Sequence, residues 1–467
     1  MYYRLKDGYI LRGWDRLPHA LLMRPENTVA FLQPDESAAL ELCDGSVDCE
    51  IKLIPEQVRE SITKLMERGI IEPCAHGEGL CDDQRYRKYD CRFIGAAHWS
   101  ITGKCNYRCK HCYMSAPEAK LGELPHDATM EIIEQLAECG IMRVSLTGGE
   151  PLVRDDFEEI VAALSSKRIW ITQIYTNGAL VHSSLLTMLE RYGFKPEFSM
   201  SYDGDGGWHD WLRGIPGAAE KVLTAFDLCH ERGFRTSAEM CIHRGNKHLL
   251  GQSINTLAAH HCNACKASCV SDTGLWLKYG QDYTLGMDEF YQLALAYIPH
   301  FFKDGMPMAV MLGGLFLCEK GKTDWCVPAK RFDGSDSCLR QTVCGHARNM
   351  LYISPEGRML PCLKFSSFDI QNKYPLIADV GLKNGLSESA YMELIDMRIE
   401  DFLALNTECG TCEHKYTCAG GCRAGALDFD EANIIGTDRA SCAFFKGGYD
   451  AKIKSVAEKA VAALSRT

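Results

Sequence analysis

From Trp99 onward the chain repeats one pattern: a short apolar run, a polar turn, then a stretch with apolar residues every three or four positions. The runs are Trp99 to Thr102, Met142 to Thr147, Ile169 to Tyr175, Phe198 to Tyr202, Ala238 to Ile242 and Ala267 to Val270. They recur at roughly 30-residue intervals, the length of a strand, a crossover helix and two turns. The intervening faces, such as Ile132, Ile133 and Leu136, or Phe157, Ile160 and Val161, have helical spacing. Strands separated by helices become parallel neighbours, and right-handed crossovers curl the sheet. The expected fold is therefore α/β, a partial (β/α)6 TIM-like barrel over residues 98–300, with reactive groups on the loops after the strands' carboxyl ends.

The flanking regions follow other rules. Residues 1–75 read as an α+β module. Tyr2 to Leu5 and Tyr9 to Arg12 flank Asp7-Gly8, a favoured hairpin turn, and Leu21 to Met23 and Thr28 to Leu32 offer further strands. Pro34-Asp35-Glu36 and Pro55-Glu56 open two helices, the second carrying Val58, Ile62, Leu65 and Met66 on one stripe. Residues 76–97 are charged and read as a linker, and 301–337 as a bridging region. Residues 338–445 hold many cysteines and glycines and few long helices, which suggests a domain organised by metal. A final helix spans 446–467, with Ile453, Val456, Ala460, Val461 and Leu464 on one face.

A hydrophobic content of 46% and a charged content of 24% suit a globular protein. The net charge of -11 argues against nucleic-acid binding, which needs a basic stripe. The first residues lack a signal-peptide pattern, and the run from Met306 to Cys318 is too short to cross a bilayer, so the expected location is cytoplasmic, away from membranes. In a reducing compartment 24 cysteines point to metal or cluster ligation rather than disulfides.

The loop after the first barrel strand reads Cys105-Asn-Tyr-Arg-Cys109-Lys-His-Cys112. Three thiolates leave one ligand position short of the usual four. After the second strand, Gly148-Gly149-Glu150-Pro151 combines paired glycines with a carboxylate suited to a cationic amine. Together these motifs resemble the radical S-adenosylmethionine (SAM) enzymes. The resemblance implies that Cys105, Cys109 and Cys112 hold a [4Fe-4S] cluster whose fourth iron is chelated by SAM. It also implies that the reduced cluster cleaves SAM to a 5'-deoxyadenosyl radical, which takes a hydrogen atom from the substrate. On the same resemblance Gly148, Gly149, Glu150 and Pro151 form the SAM motif, with Glu150 on the amine. Asn177, Ser201 and Asp203 stand where ribose and carboxylate contacts fall, and Arg213 is the counter-ion for the SAM carboxylate. His111 occupies the place of the family's usual aromatic residue and could pack on adenine. A zinc knuckle is the competing reading of the cysteines, but it leaves residues 148–151 unexplained.

Farther on, Cys344, Gly357, Cys362, Cys409, Cys412, Cys418, Cys422 and Cys442 follow in order. This array resembles the SPASM domain, which holds two auxiliary [4Fe-4S] clusters. The resemblance assigns Cys338, Cys344, Cys362 and Cys422 to one and Cys409, Cys412, Cys418 and Cys442 to the other, making three clusters in all. Structural zinc is the alternative. Cys262, Cys265 and Cys269 invite a further cluster or a thiol relay, against the plainer reading of buried, inert thiols.

A sheet followed by helices, placed before such a body, resembles the PqqD-like recognition element that binds the leader of a ribosomally made (RiPP) precursor peptide by strand addition. The three regions together resemble radical SAM peptide maturases. They imply an enzyme that forms cysteine thioether cross-links in a precursor peptide, as sactipeptide and ranthipeptide maturases do, supplied with electrons by a flavodoxin or ferredoxin. Carbon-carbon cross-linking and oxidative decarboxylation use the same parts. Leu363 after Cys362 departs from the aspartate expected in sulfatase-maturing relatives. The non-enzymatic alternative is an iron-sulfur electron-transfer or peptide-binding protein. No catalytic base is evident, since His209, Asp210, Asp272 and Tyr279 all have ordinary structural explanations.

Overall fold

The computed structural model describes residues 1–23, 28–116, 120–328, 332, 334–387 and 390–464. Two compact units emerge, one formed by residues 1–95 with 138–140 and one by the remainder.

In the first unit, β1 (Tyr2–Leu5), β2 (Tyr9–Asp15), β3 (Leu17–Met23) and β4 (Thr28–Phe31) precede α1 (Pro34–Leu42), α2 (Glu56–Glu67), β5 (Ile71–Cys74) and β6 (Arg87–Arg92). Among the described residues the sheet order is β4-β3-β2-β6, with a separate β1-β5 pair. The Asp7-Gly8 reversal forms, with Tyr9 N donating to Lys6 O at 3.2 Å, but it does not make a hairpin. Instead β1 pairs antiparallel with β5, Leu5 opposite Ile71. Both of these residues join Leu11, Leu21, Leu40, Val58, Ile62 and Leu65 in one core. Turn chemistry set the reversal, and burial chose the partner. Met66, expected on the buried stripe of α2, is 39% exposed. The expected linker contains β6, which pairs parallel with β2.

The second unit is built on a ten-stranded sheet among the described residues. Its strands are β7 (Ala96–Ser100), β8 (Arg143–Thr147), β9 (Trp170–Thr176), β10 (Glu197–Ser201), β11 (Thr236–Ile242), β12 (Ala264–Cys269), β13 (Ala309–Leu312), β14 (Phe316–Cys318), β15 (Met350–Ile353) and β16 (Met359–Leu360). Strands β7 to β13 lie in chain order and all pair parallel. The helices between them are α3 (His126–Glu138), α4 (Phe157–Ser166), α5 (Ser183–Arg191), α6 (Trp208–Arg213), α7 (Ala218–Glu231), α8 (Leu250–Ala259), α9 (Trp276–Tyr279) and α10 (Met287–Lys303). The sheet is a TIM-like partial barrel, its edges at β14 and β16.

Two details depart from the expectation. The bridging region supplies a seventh parallel strand, β13, and the antiparallel β14. The cysteine-rich region also enters this sheet, because β15 pairs parallel with β7, Met350 opposite Ala96. Periodicity missed both because four-residue strands carry almost no pattern. The C-terminal helix (Tyr449–Leu464) packs on α10: Gln292 donates to the Tyr449 hydroxyl at 3.0 Å, and that hydroxyl also meets Asp288. Ile453 and Ala457 are buried, Val456, Ala460 and Val461 are half-buried and Leu464 is exposed. Residues 465–467 of the expected helix lie outside the described residues.

Candidate active site

Three loops meet at the carboxyl ends of β7, β8 and β9. Gly149 N donates to Thr102 O at 2.9 Å and Glu150 N to Lys104 O at 2.9 Å, clamping the loop after β8 against the start of the cysteine loop. Both glycines are required by this approach. A Cβ at Gly148, whose φ is +154°, would lie 2.4 Å from Thr102 O, and one at Gly149 would lie 2.2 Å from Lys104 O. Both glycines thus let two backbones touch.

The clamp aims Glu150 inward, and its carboxylate is fully buried. It accepts from Thr176 Oγ1 at 2.8 Å, Asn177 N at 2.8 Å and Leu152 N at 3.2 Å. Burial pushes its pKa up to about 7, against the pull of these hydrogen bonds. No ion pair to Glu150 exists among the described residues. A buried anion held only by neutral donors is a receptor for a cation. The Asn177 side chain donates to Asn106 Oδ1 at 2.7 Å, tying β9 to the cysteine loop.

Within that loop Cys105, Cys109 and Cys112 are partly exposed; burial raises the pKa of all three thiols, and Cys112 adds to the rise at Cys105 and Cys109. Tyr107 N donates to Cys105 Sγ at 3.4 Å and Ala116 N to Cys112 Sγ at 3.3 Å, contacts that suit thiolates. Arg213 Nη1 points to Cys109 Sγ at 3.9 Å. Its guanidinium forks onto Asp203, with Nε to Oδ2 at 2.6 Å and Nη2 to Oδ1 at 3.0 Å. Asp203 is fully buried and also accepts from Cys241 N at 2.9 Å while holding Arg213. His209 Nδ1 lies 3.1 Å from the same carboxylate. Arg213 is therefore a cation paired with Asp203. His111 is half-buried, and desolvation drops its pKa to about 3, leaving a neutral ring whose Nδ1 has no hydrogen-bond partner among the described residues. Ser201 closes β10 beside Glu239 of β11.

The other cysteines separate into groups. Burial and then the thiols of Cys422 and Cys344 push the Cys362 thiol up to about 12. Cys338, expected with them, is buried against Phe332, Ile399 and Ala419. Cys409, Cys412, Cys418 and Cys442 all line one small cavity. Cys262 and Cys265 are core residues, whereas Cys269 borders a larger cavity, so the three form no common site. That cavity, about 600 Å³, lies between the ends of β12 and β13 and the cysteine-rich region. Cys418, Cys422, Asp272 and the Lys364–Asp428 ion pair are on its wall. Sequence reasoning missed Lys364 and Asp428, since neither belongs to a motif. Asp210 caps α7 through Gly217 N at 2.6 Å and Ala219 N at 2.8 Å.

A parallel partial barrel with a three-cysteine loop beside a buried carboxylate defines a class. Residues 99–248 match the family model described as the Radical SAM superfamily, and this stretch is a radical SAM domain. Its family binds SAM and a [4Fe-4S] cluster. Among relatives, the chain is 25% identical to the AdoMet-dependent heme synthase of Methanosarcina barkeri over 355 residues, covering 70% of this chain and 90% of that one. It is also 25% identical to the PqqA peptide cyclase of Granulibacter bethesdensis over 328 residues, covering 70% and 82%. In fold it resembles Streptococcus suis SuiB bound to S-adenosylmethionine, with a TM-score of 0.63 and 14% identity over 94% of this chain and 99% of that one. SuiB bound to precursor peptide SuiA gives a TM-score of 0.61 at 13% identity, with the same coverage. No helix among the described residues is long and apolar enough to cross a membrane.

Proposed function

We propose that this chain is a radical SAM maturase that modifies a ribosomally made peptide by forming cysteine thioether cross-links. The observation that carries this reading is the chamber of about 600 Å³ at the carboxyl ends of β12 and β13, walled on its far side by Cys418 and Cys422. It is large enough for a peptide segment and borders both groups of SPASM cysteines.

In this reading Cys105, Cys109 and Cys112 hold the SAM-binding cluster. Cys338, Cys344, Cys362 and Cys422 hold one auxiliary cluster, and Cys409, Cys412, Cys418 and Cys442 the other. The donor chemistry fits: amide donors on Cys105 and Cys112 and the Arg213 guanidinium by Cys109 all favour thiolates. Bound, these groups supply one-electron cleavage of SAM and an acceptor for the surplus electron of an oxidative cross-link. Glu150 holds the SAM amine, and Asp203 fixes Arg213 against the loop. His111, neutral and half-buried, offers a flat apolar face to the adenine.

The N-terminal unit would capture the leader. Strand β4 is a sheet edge paired only with β3 among the described residues, and Phe31 on it is 58% exposed. The likeness to SuiB leaves 6% of this chain uncovered, less than the N-terminal unit, so that unit shares in it. A peptide-binding role follows the SuiA complex and the peptide cyclase. The heme synthase relatives favour a tetrapyrrole as the second reading.

Anaerobic reconstitution, then dithionite and SAM, should release 5'-deoxyadenosine. Co-expression with a short cysteine-bearing peptide encoded nearby should remove two hydrogens per cross-link. Turnover of a porphyrin with the peptide left unmodified would install the second reading instead.

A further inference from the structure

The cysteine-rich region buries a cation that no carboxylate answers directly. Arg423 follows Cys422 in the chain and is 1% exposed. Its Nη1 donates to Ile434 O at 2.9 Å and to Gly436 O at 2.8 Å, and its Nη2 donates to Gly420 O. The guanidinium carbon lies 4.0 Å from the centre of the Phe402 ring, an attractive contact for a cation. Its Nε has no hydrogen-bond partner, and Arg423 forms no ion pair among the described residues. A guanidinium keeps its charge at every pH a folded protein meets, and burying one without an anion is strongly unfavourable.

Asp438 is the acid that acts on it most, yet its oxygens are already engaged. It is 3% exposed and accepts from Cys422 N at 2.8 Å, Ala440 N at 3.1 Å, Ser441 N at 3.3 Å and Ser441 Oγ at 2.6 Å. Asp438 therefore attracts Arg423 through space without bonding it. Burial lowers the Arg423 pKa, while Asp438 and the thiols of Cys422, Cys409 and Cys418 raise it. The carbonyls that hold the guanidinium belong to segments carrying both groups of cysteines. Gly420 lies between Cys418 and Cys422 and lines the small cavity with Cys409, Cys412, Cys418 and Cys442. Gly436 precedes Thr437, whose Oγ1 is 4.0 Å from Cys409 Sγ. Ile435 O accepts from Asn406 Nδ2 at 2.7 Å, and Asn406 Oδ1 accepts from Cys409 N at 2.9 Å. Arg423 thus fastens together the loops that present Cys422 of one group and Cys409 and Cys418 of the other.

We propose that Arg423 is the counter-charge for the two auxiliary centres, a positioning residue that favours their reduced state. The proposal rests on the reading of these cysteines as ligands of iron-sulfur centres. Thiolate ligands give such a centre net negative charge, and an added electron makes it more negative. A fixed cation in a low-dielectric wall favours that electron. In the proposed cross-link a carbon radical and a substrate thiol form the carbon-sulfur bond, the thiol proton leaves to solvent, and one electron passes to an auxiliary centre. Arg423 stabilises that electron without touching the substrate.

The test is a potentiometric titration followed by electron paramagnetic resonance. It uses the full chain carrying Cys105→Ala, Cys109→Ala and Cys112→Ala, reconstituted anaerobically, so that only the auxiliary centres respond. Adding Arg423→Gln should weaken their reduction at least about tenfold in equilibrium constant, a downward shift of about 59 mV or more for one electron. Arg423→Lys keeps the charge but not the fork and should lose only about threefold. The centre held by Cys105, Cys109 and Cys112, measured in the otherwise unsubstituted chain, should move less than about twofold in either variant. Auxiliary potentials unchanged by Arg423→Gln overturn the proposal. Equal shifts with Gln and Lys do so too, because they would leave Arg423 only as a clamp on the loops, and so does a shift of the same size at the first centre. Should Arg423→Gln misfold, Arg423→Lys must show its loss of about threefold by itself, with about eight irons retained. Failure of the chain that keeps Arg423 to hold about eight irons would sink the auxiliary-centre reading instead.

Discussion

Replacing Glu150 by Gln separates what this carboxylate costs from what it does. An ordinary glutamate titrates near 4.5, whereas burial holds this one at about 7. The difference means that the fold carries the charged form at a cost of about 3 kcal/mol. A raised carboxyl pKa works against stability once the group ionises: the contribution is intact below the unfolded value near 4.5 and is lost as pH rises through 7. The apo wild type should therefore be less stable at pH 8 than at pH 6, and Glu150→Gln should flatten that slope. The variant does not recover the full amount, because Asn177 N, which now donates to Oε2, would face an amide nitrogen. Binding runs the other way. A cationic amine restores about 3 kcal/mol to the ionised carboxylate, so Glu150→Gln should weaken SAM roughly 150-fold. Wild-type affinity should also fall as the pH drops below 7, when the carboxyl is protonated before the ligand arrives. Calorimetry with SAM on reconstituted protein at several pH values, alongside urea unfolding of both apo proteins, measures both effects. Affinity within twofold of wild type, or a wild-type affinity flat from pH 6 to pH 8, would refute the assignment of Glu150 to the amine.

Three further outcomes are expected. Gly148→Ala should lower apo stability by about 2 kcal/mol or more, because its Cβ would strike Thr102 O, a backbone atom that cannot swing aside; thermal melts followed by circular dichroism measure the loss. Asp203→Asn should cost about 3 to 5 kcal/mol in urea unfolding, by stranding the buried Arg213 charge. Burial by itself would raise the Asp203 pKa, but Arg213 and His209 outweigh it and lower the value, so the stabilisation is present at neutral pH and lost in acid. Cys362→Ala and Cys418→Ala should each reduce bound iron from about twelve toward about eight atoms per chain, through different clusters. Full retention of iron in either variant would remove that cluster from the ligand scheme.

The division between sequence and tertiary structure falls along a physical line. Local chemistry was legible from the chain alone. The six strands from Trp99 to Val270 and the helices between them follow from apolar periodicity, and the three-cysteine loop and the Gly148-Gly149-Glu150-Pro151 turn follow from residue types at short spacing. What the chain could not reveal was which distant segments share a surface. Leu5 chose Ile71 over the nearby Tyr9 strand, and Met350 to Ile353 chose the edge at β7, because pairing between remote strands is decided by burial of both partners and leaves no periodic trace. The same holds at the site. Glu150 was visible, but its isolation among neutral donors was not; Arg213 was visible, but its neutralisation by Asp203 was not. Electrostatic character belongs to the environment a side chain is folded into, and that environment exists only once the loops after β7, β8, β9 and β10 have been brought together.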